Sequence, residues 1–184
     1  MNYYIDIQML PCSEFLSSYL MNEVFSRLHN ALVHFGQSEV GVSFPYVEEN
    51  LGDLLRLHGS QEALQRIMSN PWIGSMINYT KVSSIKLVPA NTSYRTIRRV
   101  QSKSSPERLL RRSVKKGWLT EEEAILKLRD ACEKNLSLPY INVKSQSTGQ
   151  RFRLFVEHGP IIEKSNKGEF NAYGLSQNAT VPWF

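Results

Sequence analysis

Long apolar runs are missing from this sequence, and so are most of the short signatures by which enzymes are recognised. No stretch approaches the ~20 consecutive apolar residues that a membrane-spanning helix needs, so no span is expected. The first ten residues, MNYYIDIQML, carry no basic cluster ahead of an apolar segment, and a secretory leader is not expected either. Cysteine is scarce. Cys12 and Cys132 stand far apart and outside any paired motif, which fits free thiols in a reducing compartment better than a disulfide framework. A cytoplasmic protein is the expectation. There is no Walker A loop, no HExxH, no GxSxG and no CxxC, so the usual signatures of nucleotide-driven, zinc-dependent and serine-hydrolase chemistry are absent. His29 and His34, five residues apart on a helix, would point about 140° away from each other. A pair binding one ion would sit at i and i+4. No metal and no cofactor are expected.

The most telling shortage is of acids between residues 95 and 116. That segment, RTIRRVQSKSSPERLLRRSVKK, holds nine lysines and arginines against one acid, Glu107, for a local charge of +8. The whole chain sums to +5, so the other 162 residues are net −3. Positive charge gathered in one place points to a polyanion-binding surface rather than to general solubility. Ser105-Pro106-Glu107 reads as a helix start, with a hydroxyl cap, a proline where its missing N–H costs nothing, and an acid at the positive dipole end. Gly117 reads as the stop. On a helix over 105–117, Arg108, Arg111, Arg112 and Lys115 share one face within roughly 100° of arc, and Leu110 and Val114 lie opposite. An ordinary solvated face mixes signs to gain i,i+4 pairs. This one has almost no acids to pair with, which favours nucleic acid as its partner.

With 184 residues and 41% hydrophobic content, the chain can form one large domain or two small ones around a real core. Tyr3–Leu10 alternates as a half-buried strand does. From residue 13 to 35, Leu16, Leu20, Val24, Leu28, Leu32 and Phe35 recur at helical spacing, with Gly36 as the stop. Val40, Val42 and Phe44 mark a short strand, and Leu54–His58 another. Ser60–Met68 is a second helix capped by Ser60, and Val82–Val88 a fourth strand. The order β-α-β-β-α-β is that of a ferredoxin-like domain, a scaffold common among RNA-binding proteins. A boundary near 89–93 separates a first unit, 1–91, from a second, 92–184. In the second unit Thr120 and Glu123 form a capping box opening a helix to about residue 135. Strands over 140–144 and 151–156 flank a polar turn as a β-hairpin, and a final strand over 170–175 precedes the closing VPWF. The fold class is α+β, with an N-terminal ferredoxin-like domain and a C-terminal α/β RNA-binding region that carries the arginine-rich helix.

The chemistry these residues leave open is chemistry on RNA itself. RNA carries its own nucleophile, the ribose 2′-OH. Cleavage then needs an in-line geometry, a base for the 2′ proton and donors for the phosphorane charge. Histidine, with an ordinary pKa of ~6.5, is the natural base. His29, in the last turns of the first helix and beside its apolar stripe, could reach a cleft between the two halves. On pattern alone a histidine on a helix flank is more often structural or solvated. Ser145 and Ser147 in a polar turn, and Tyr173 before Gly174, are likewise more often turn and strand residues. Phe152 could be core or could stack a base.

A resemblance bears on these alternatives. Leu28–Val33 (LHNALV), GVSFP at Gly41–Pro45, Arg99-Val100-Gln101, the SSPER helix start, SQSTGQRFRLF at Ser145–Phe155, His158-Gly159-Pro160, YGLS at Tyr173–Ser176 and the closing VPWF occur in order along nearly the whole chain. Together they resemble the CRISPR-associated repeat-processing endoribonucleases of type I-F systems, the Csy-type enzymes. The resemblance implies an arginine-rich helix in the major groove of a CRISPR repeat RNA hairpin. It also implies metal-independent cleavage at the 3′ base of the stem, giving a 2′,3′-cyclic phosphate and a 5′-hydroxyl, and association with other subunits of a type I-F interference complex. By the same resemblance His29 is the general base, Ser145 holds the ribose with Ser147 nearby, and Tyr173 orients the histidine. Arg99 and Gln101 read bases at the foot of the stem, and Phe152 stacks on the terminal pair. Lys103, Arg108, Arg111, Arg112, Lys115 and Lys116 are the expected phosphate contacts. Lys115 and Lys116 stand where the family helix is expected to carry arginine, and lysine keeps the charge without the planar fork. A non-catalytic hairpin-binding subunit is the main alternative, and a DNA-binding regulator a third.

Overall fold

Residues 1–100, 112–127, 137–144 and 149–184 are described by the computed structural model of the chain. The alternation at the N-terminus becomes β1 (Tyr3–Met9), with Ile5, Ile7 and Met9 fully buried on one side. Helix α1 (Ser17–Ala31) buries Leu20, Val24 and Leu28 of the expected stripe, with Phe25 beside them, whereas Leu16, ahead of the helix, is exposed. It begins at residue 17 rather than 13. Cys12 N–H is bonded to the Phe15 carbonyl in a turn, and the helix is entered through an extended Leu16. Its last turn widens into a π-helical segment, Leu32–Gly36, and the reversal falls on Gln37 and Ser38, both with positive φ, not on Gly36. Gly36 matters instead for its missing Cβ, which would lie 3.0 Å from Leu32 Cδ2.

Strands β2 (Gly41–Ser43) and β3 (Leu54–Gly59) follow, then α2 (Gln61–Met68), capped as expected by Ser60 Oγ accepting from Ala63 N–H. The single strand expected over 82–88 is two short ones, β4 (Thr80–Val82) and β5 (Lys86–Leu87). Both pair with β1, at opposite ends of it, and the chain detours between them. The first sheet is antiparallel in the order β2-β3-β1-β4, with β5 also on β1.

The second sheet takes β6 (Ser93–Val100), β7 (Tyr140–Lys144), β8 (Arg151–Ile162) and β9 (Thr180–Trp183) in the antiparallel order β7-β8-β6-β9. Strand β6 occupies the upstream part of the basic segment, which charge alone marked only as a polyanion surface. The strand expected over 170–175 does not form. Those residues make a tight loop whose polar groups are satisfied locally and by both sheets, as described below. The arginine-rich helix lies mostly outside the described residues. Its described end, 112–115, is helical and stops at Gly117 with φ +70°. The capping box is present, with Thr120 Oγ1 accepting from Glu123 N–H and Glu123 returning a carboxylate oxygen to Thr120 N–H.

One apolar cluster runs through both sheets, joining Ile5, Ile7 and Leu57 to Ile97, Ile141, Leu154, Val156 and Val181. Strand β3 is buried on both faces: Leu55 and Leu57 alternate with Arg56 and His58. Arg56 makes a bidentate ion pair with Asp6 at 2.6 and 3.1 Å, donates to the Phe184 carbonyl at 2.9 Å, and lies over the rings of Tyr4 and Phe184. A guanidinium taken out of water needs each of these partners. The C-terminal residue is thereby tied to the middle of the first sheet.

Two histidines stay neutral inside this fold. Burial, with help from Arg56, holds His58 down to a pKa of about 3. Burial and Arg95 hold His158 down to about 4. His58 Nε2 bonds Ser43 Oγ at 2.8 Å. Because the folded values lie below the ordinary one, the unfolded chain binds the extra protons as pH falls below ~6.5, so stability present above that pH is lost on acidification. Urea unfolding between pH 7 and 5, above the carboxylate range, should show a free energy that falls with a slope approaching two protons, roughly 2.7 kcal/mol per pH unit. A free energy independent of pH over that interval would contradict neutral burial of both rings.

Candidate active site

His29 is in the last turn of α1, half-buried, where the helix meets the loop between β8 and β9. Its Nδ1 lies 2.7 Å from the carbonyl oxygen of Ala172. A carbonyl can only accept, so Nδ1 carries the hydrogen, and in the neutral ring the lone pair is left on Nε2. The Tyr173 ring stacks on the imidazole, centroids 4.2 Å apart and planes 12° from parallel. Phe25 lies behind Tyr173 with its ring parallel, at 6.3 Å. The histidine is thus fixed in tautomer by a backbone carbonyl and in tilt by an aromatic face.

The loop that supplies both contacts is itself tightly held. Asn171 Oδ1 accepts from Tyr173 N–H at 2.8 Å and from Leu175 N–H at 3.3 Å. Asn171 N–H donates to the Leu175 carbonyl, and Gly174 N–H to the Asn171 carbonyl. Gly174 has φ +70°, and a Cβ there would run into Val42, so only glycine fits. The loop is then anchored outward. Val42 N–H of β2 donates to the Gly174 carbonyl, and Ser176 N–H donates to the Ile97 carbonyl of β6, each at 2.9 Å.

Arg99 completes the assembly. Its guanidinium lies 5.2 Å from the Tyr173 ring centre and 5.4 Å from that of Phe152. The neighbouring arginines of β6 are otherwise engaged: Arg95 lies over Trp183 and donates to the Gly159 carbonyl, while Arg98 pairs with Glu157 at 3.0 Å. Of the three arginines in RTIRRV, Arg99 is the one on the tyrosine that stacks on His29. The structure therefore brings together four of the residues singled out in the sequence, His29, Tyr173, Arg99 and Phe152. Ser145, Ser147, Gln101, Lys103, Arg108 and Arg111 lie outside the described residues. Arg112, Lys115 and Lys116 are exposed, and the Lys116 ammonium sits 4.5 Å from the centre of the Trp118 ring. Among the described residues, no group of three or more His, Cys, Asp or Glu side chains could hold a metal ion.

Two contributors escaped the sequence reading. The Ala172 carbonyl belongs to the backbone and leaves no residue-type signal. Asn171 does leave one, since Asn-Ala-Tyr-Gly is an Asx-turn pattern with glycine at the left-handed position, but the apolar residues around it imitate a strand.

An imidazole with Nδ1 bonded to a backbone carbonyl and its face on a tyrosine, itself beside an arginine, has the make-up of a candidate acid–base site. Similarity to known proteins gives the family. Residues 4–184 match the family described as CRISPR-associated protein (Cas_Csy4), and the chain belongs to it. It is 48% identical over 184 residues to the CRISPR-associated endonuclease Cas6/Csy4 of Escherichia coli (strain UTI89 / UPEC), and 42% identical over 187 residues to that of Pseudomonas aeruginosa (strain UCBPP-PA14). Both matches cover 100% of this chain and 100% of the relative.

Asn171→Ala should loosen the loop and lower endonuclease turnover about tenfold or more, the loss expected where the loop positions a base, which contributes ~10²–10⁴-fold. Asn171→Asp, which keeps the acceptor, should restore most of it. The melting temperature and affinity for nucleic acid should hold in both. Equal activity of Asn171→Ala and wild type would remove the loop from the account.

Proposed function

We propose that this protein is a metal-independent endoribonuclease that cuts precursor CRISPR RNA at the 3′ base of the repeat hairpin. His29 Nε2 takes the proton of the ribose 2′-OH. The oxygen attacks the adjacent phosphorus, the O2′–P bond forms, and the P–O5′ bond breaks. The leaving oxygen takes up a proton as the 5′-hydroxyl, and the other product ends in a 2′,3′-cyclic phosphate. Tyr173 holds the imidazole plane, Ser145 holds the ribose with Ser147 in support, and Arg99 with Gln101 reads bases at the foot of the stem. Arginine to a guanine edge and glutamine to an adenine edge are the best-matched pairs, each worth ~1–3 kcal/mol of discrimination. Phe152 stacks on the terminal base pair. Lys103, Arg108, Arg111, Arg112, Lys115 and Lys116 take stem phosphates along the arginine-rich helix, residues 105–117.

The observation that carries this reading is the His29 ring itself, with Nδ1 committed to Ala172, Tyr173 stacked on it, and Arg99 on the Tyr173 ring. The names of the relatives, which are CRISPR-associated endonucleases, support the same activity. The sheet order β2-β3-β1-β4, antiparallel throughout, supports a ferredoxin-like first unit, residues 1–91, that carries the base. The second unit, 92–184, grips the RNA. An enzyme whose affinity lies in the stem keeps its stem-bearing product, so it stays on the mature RNA and joins the other subunits of a type I-F interference complex in the cytoplasm. No helix among the described residues is long and apolar enough to cross a membrane.

The test is a repeat hairpin incubated with the protein in excess EDTA, followed by end-group analysis. Cleavage to a 2′,3′-cyclic phosphate is expected. His29→Ala should reduce the rate ~10²–10⁴-fold with hairpin affinity unchanged, and a 2′-deoxy sugar at the scissile nucleotide should stop cutting. Cleavage of the 2′-deoxy substrate would rule out the internal nucleophile, and binding without cleavage would leave a hairpin-binding subunit.

A further inference from the structure

The His29 ring and the carbonyl that holds it are joined by a closed circuit of chain. From His29 the helix runs into the π-helical turn Leu32–Gly36 and on to Gln37 and Ser38. The Ser38 carbonyl then accepts from Phe170 N–H at 3.1 Å. Two residues further on, the Ala172 carbonyl returns to His29 Nδ1. Whatever sets the turn therefore sets both ends of that hydrogen bond. Packing between turn and loop is incomplete, because a cavity of ≈ 230 Å³ lined by Leu32, Gly36, Ser38, Phe170 and Ala172 lies between them. The bond from Phe170 to Ser38 spans that gap.

The turn is not one that a backbone adopts readily. Gln37 and Ser38, neither of them glycine, have consecutive φ values of +46° and +59°. L-residues seldom enter that region and keep it only where neighbours impose it. The neighbour here is Arg66, in the last turn of α2. Its Nε donates to the Phe35 carbonyl at 2.9 Å, and its Nη2 donates to Glu39 Oε2. One guanidinium thus grips the chain before and after the two left-handed residues. Glu39 N–H closes the same turn on the Gly36 carbonyl at 2.9 Å. The guanidinium is planar and its donors are fixed relative to each other, so it sets the span between residues 35 and 39. Arg66 is itself well held. Ala63, Leu64 and Ile67 of α2 are buried, and the Arg66 carbonyl accepts from Ser69 Oγ and Asn70 Nδ2, each at 2.9 Å. With the Arg66 side chain 34% and that of Glu39 55% exposed, the ion pair adds little to stability. Its effect is geometric.

We propose that Arg66 is a positioning residue for the endonuclease reaction, acting through the turn at 35–39 and the Ser38–Phe170 bond to set the Ala172 carbonyl against His29. The proposal rests on His29 serving as the base, as set out above. Without the clamp, the turn relaxes toward ordinary φ values and carries Ser38 with it. Phe170 and Ala172 then shift away from the end of α1, and the imidazole loses its fixed acceptor. A misplacement of about 1 Å that originates far from the chemistry is enough to cost rate.

Three measurements together test this: single-turnover cleavage of a repeat hairpin at saturating protein, hairpin affinity, and nitrogen-15 NMR of the His29 ring in the free protein. Arg66→Ala should cut about tenfold more slowly. Its affinity and melting temperature should stay close to wild type, and its neutral-ring signals should move toward a mixture of tautomers. Glu39→Ala should act in the same direction, and Glu39→Gln, which keeps an acceptor for Nη2, should recover most of the rate. A wild-type rate in Arg66→Ala would overturn the proposal, and so would a loss of rate matched by an equal loss of affinity. If Arg66→Ala does not fold, the Glu39 variants decide by the same readouts, and equal rates of Glu39→Ala and wild type would overturn the proposal. Failure of wild type to cut would instead overturn the cleavage reading beneath it. The ring signals would still decide the clamp, since signals in the variants identical to those of wild type would sink it.

Discussion

Two backbone hydrogen bonds carry most of the functional geometry. Val42 N–H to the Gly174 carbonyl and Ser176 N–H to the Ile97 carbonyl fasten one short loop to a strand in each sheet. Between those anchors the chain must present the Ala172 carbonyl and the Tyr173 ring, and it does so because Asn171 closes the turn from inside. The imidazole of His29 comes from a third element, α1, and meets that loop at hydrogen-bond distance. Three separate pieces of chain thus agree on the position of one ring. Backbone groups suit this task, because carbonyls fixed by sheets do not reorganise as charge develops.

Around that ring the positive charge is divided by function. Arg95, Arg98 and Arg56 are spent on Trp183, Glu157, Asp6 and Phe184, and they hold strands and the C-terminal residue together. Arg99, one residue beyond Arg98 and so on the other side of β6, sits between Phe152 and Tyr173. Alternation along the strand separates Arg99 from Arg98, whereas Arg95, of the same parity as Arg99, is set apart by Trp183 and the Gly159 carbonyl. A net charge counted over the whole segment cannot make that distinction.

Much of the first sheet and its helices was legible in the sequence. The stripe of α1, the Ser60 cap and the alternation of β1 are local patterns with direct physical causes, and each reappears in the fold. His29 was legible as the candidate base but its tautomer was not, since only its bond to Ala172, 143 positions away, fixes that. The loop 170–175 was misread because Phe170, Tyr173 and Leu175 are apolar residues facing two sheets at once, and burial without regular pairing leaves no period to detect. The break between β4 and β5 was missed for a related reason: both pieces answer to β1, and the pairing is nonlocal. Strand β6 was hidden under its own arginines, whose aromatic and acidic partners lie far along the chain.

The central claim is that the Ala172 carbonyl holds His29 with its hydrogen on Nδ1 and its lone pair on Nε2. Nitrogen-15 NMR of the labelled imidazole, in the neutral ring of the free protein, reads this directly. The account predicts a protonated Nδ1 and an unprotonated Nε2, with the signal drifting toward a tautomer mixture in Asn171→Ala. A neutral ring protonated at Nε2 would contradict it, because that nitrogen could then take no proton from a ribose.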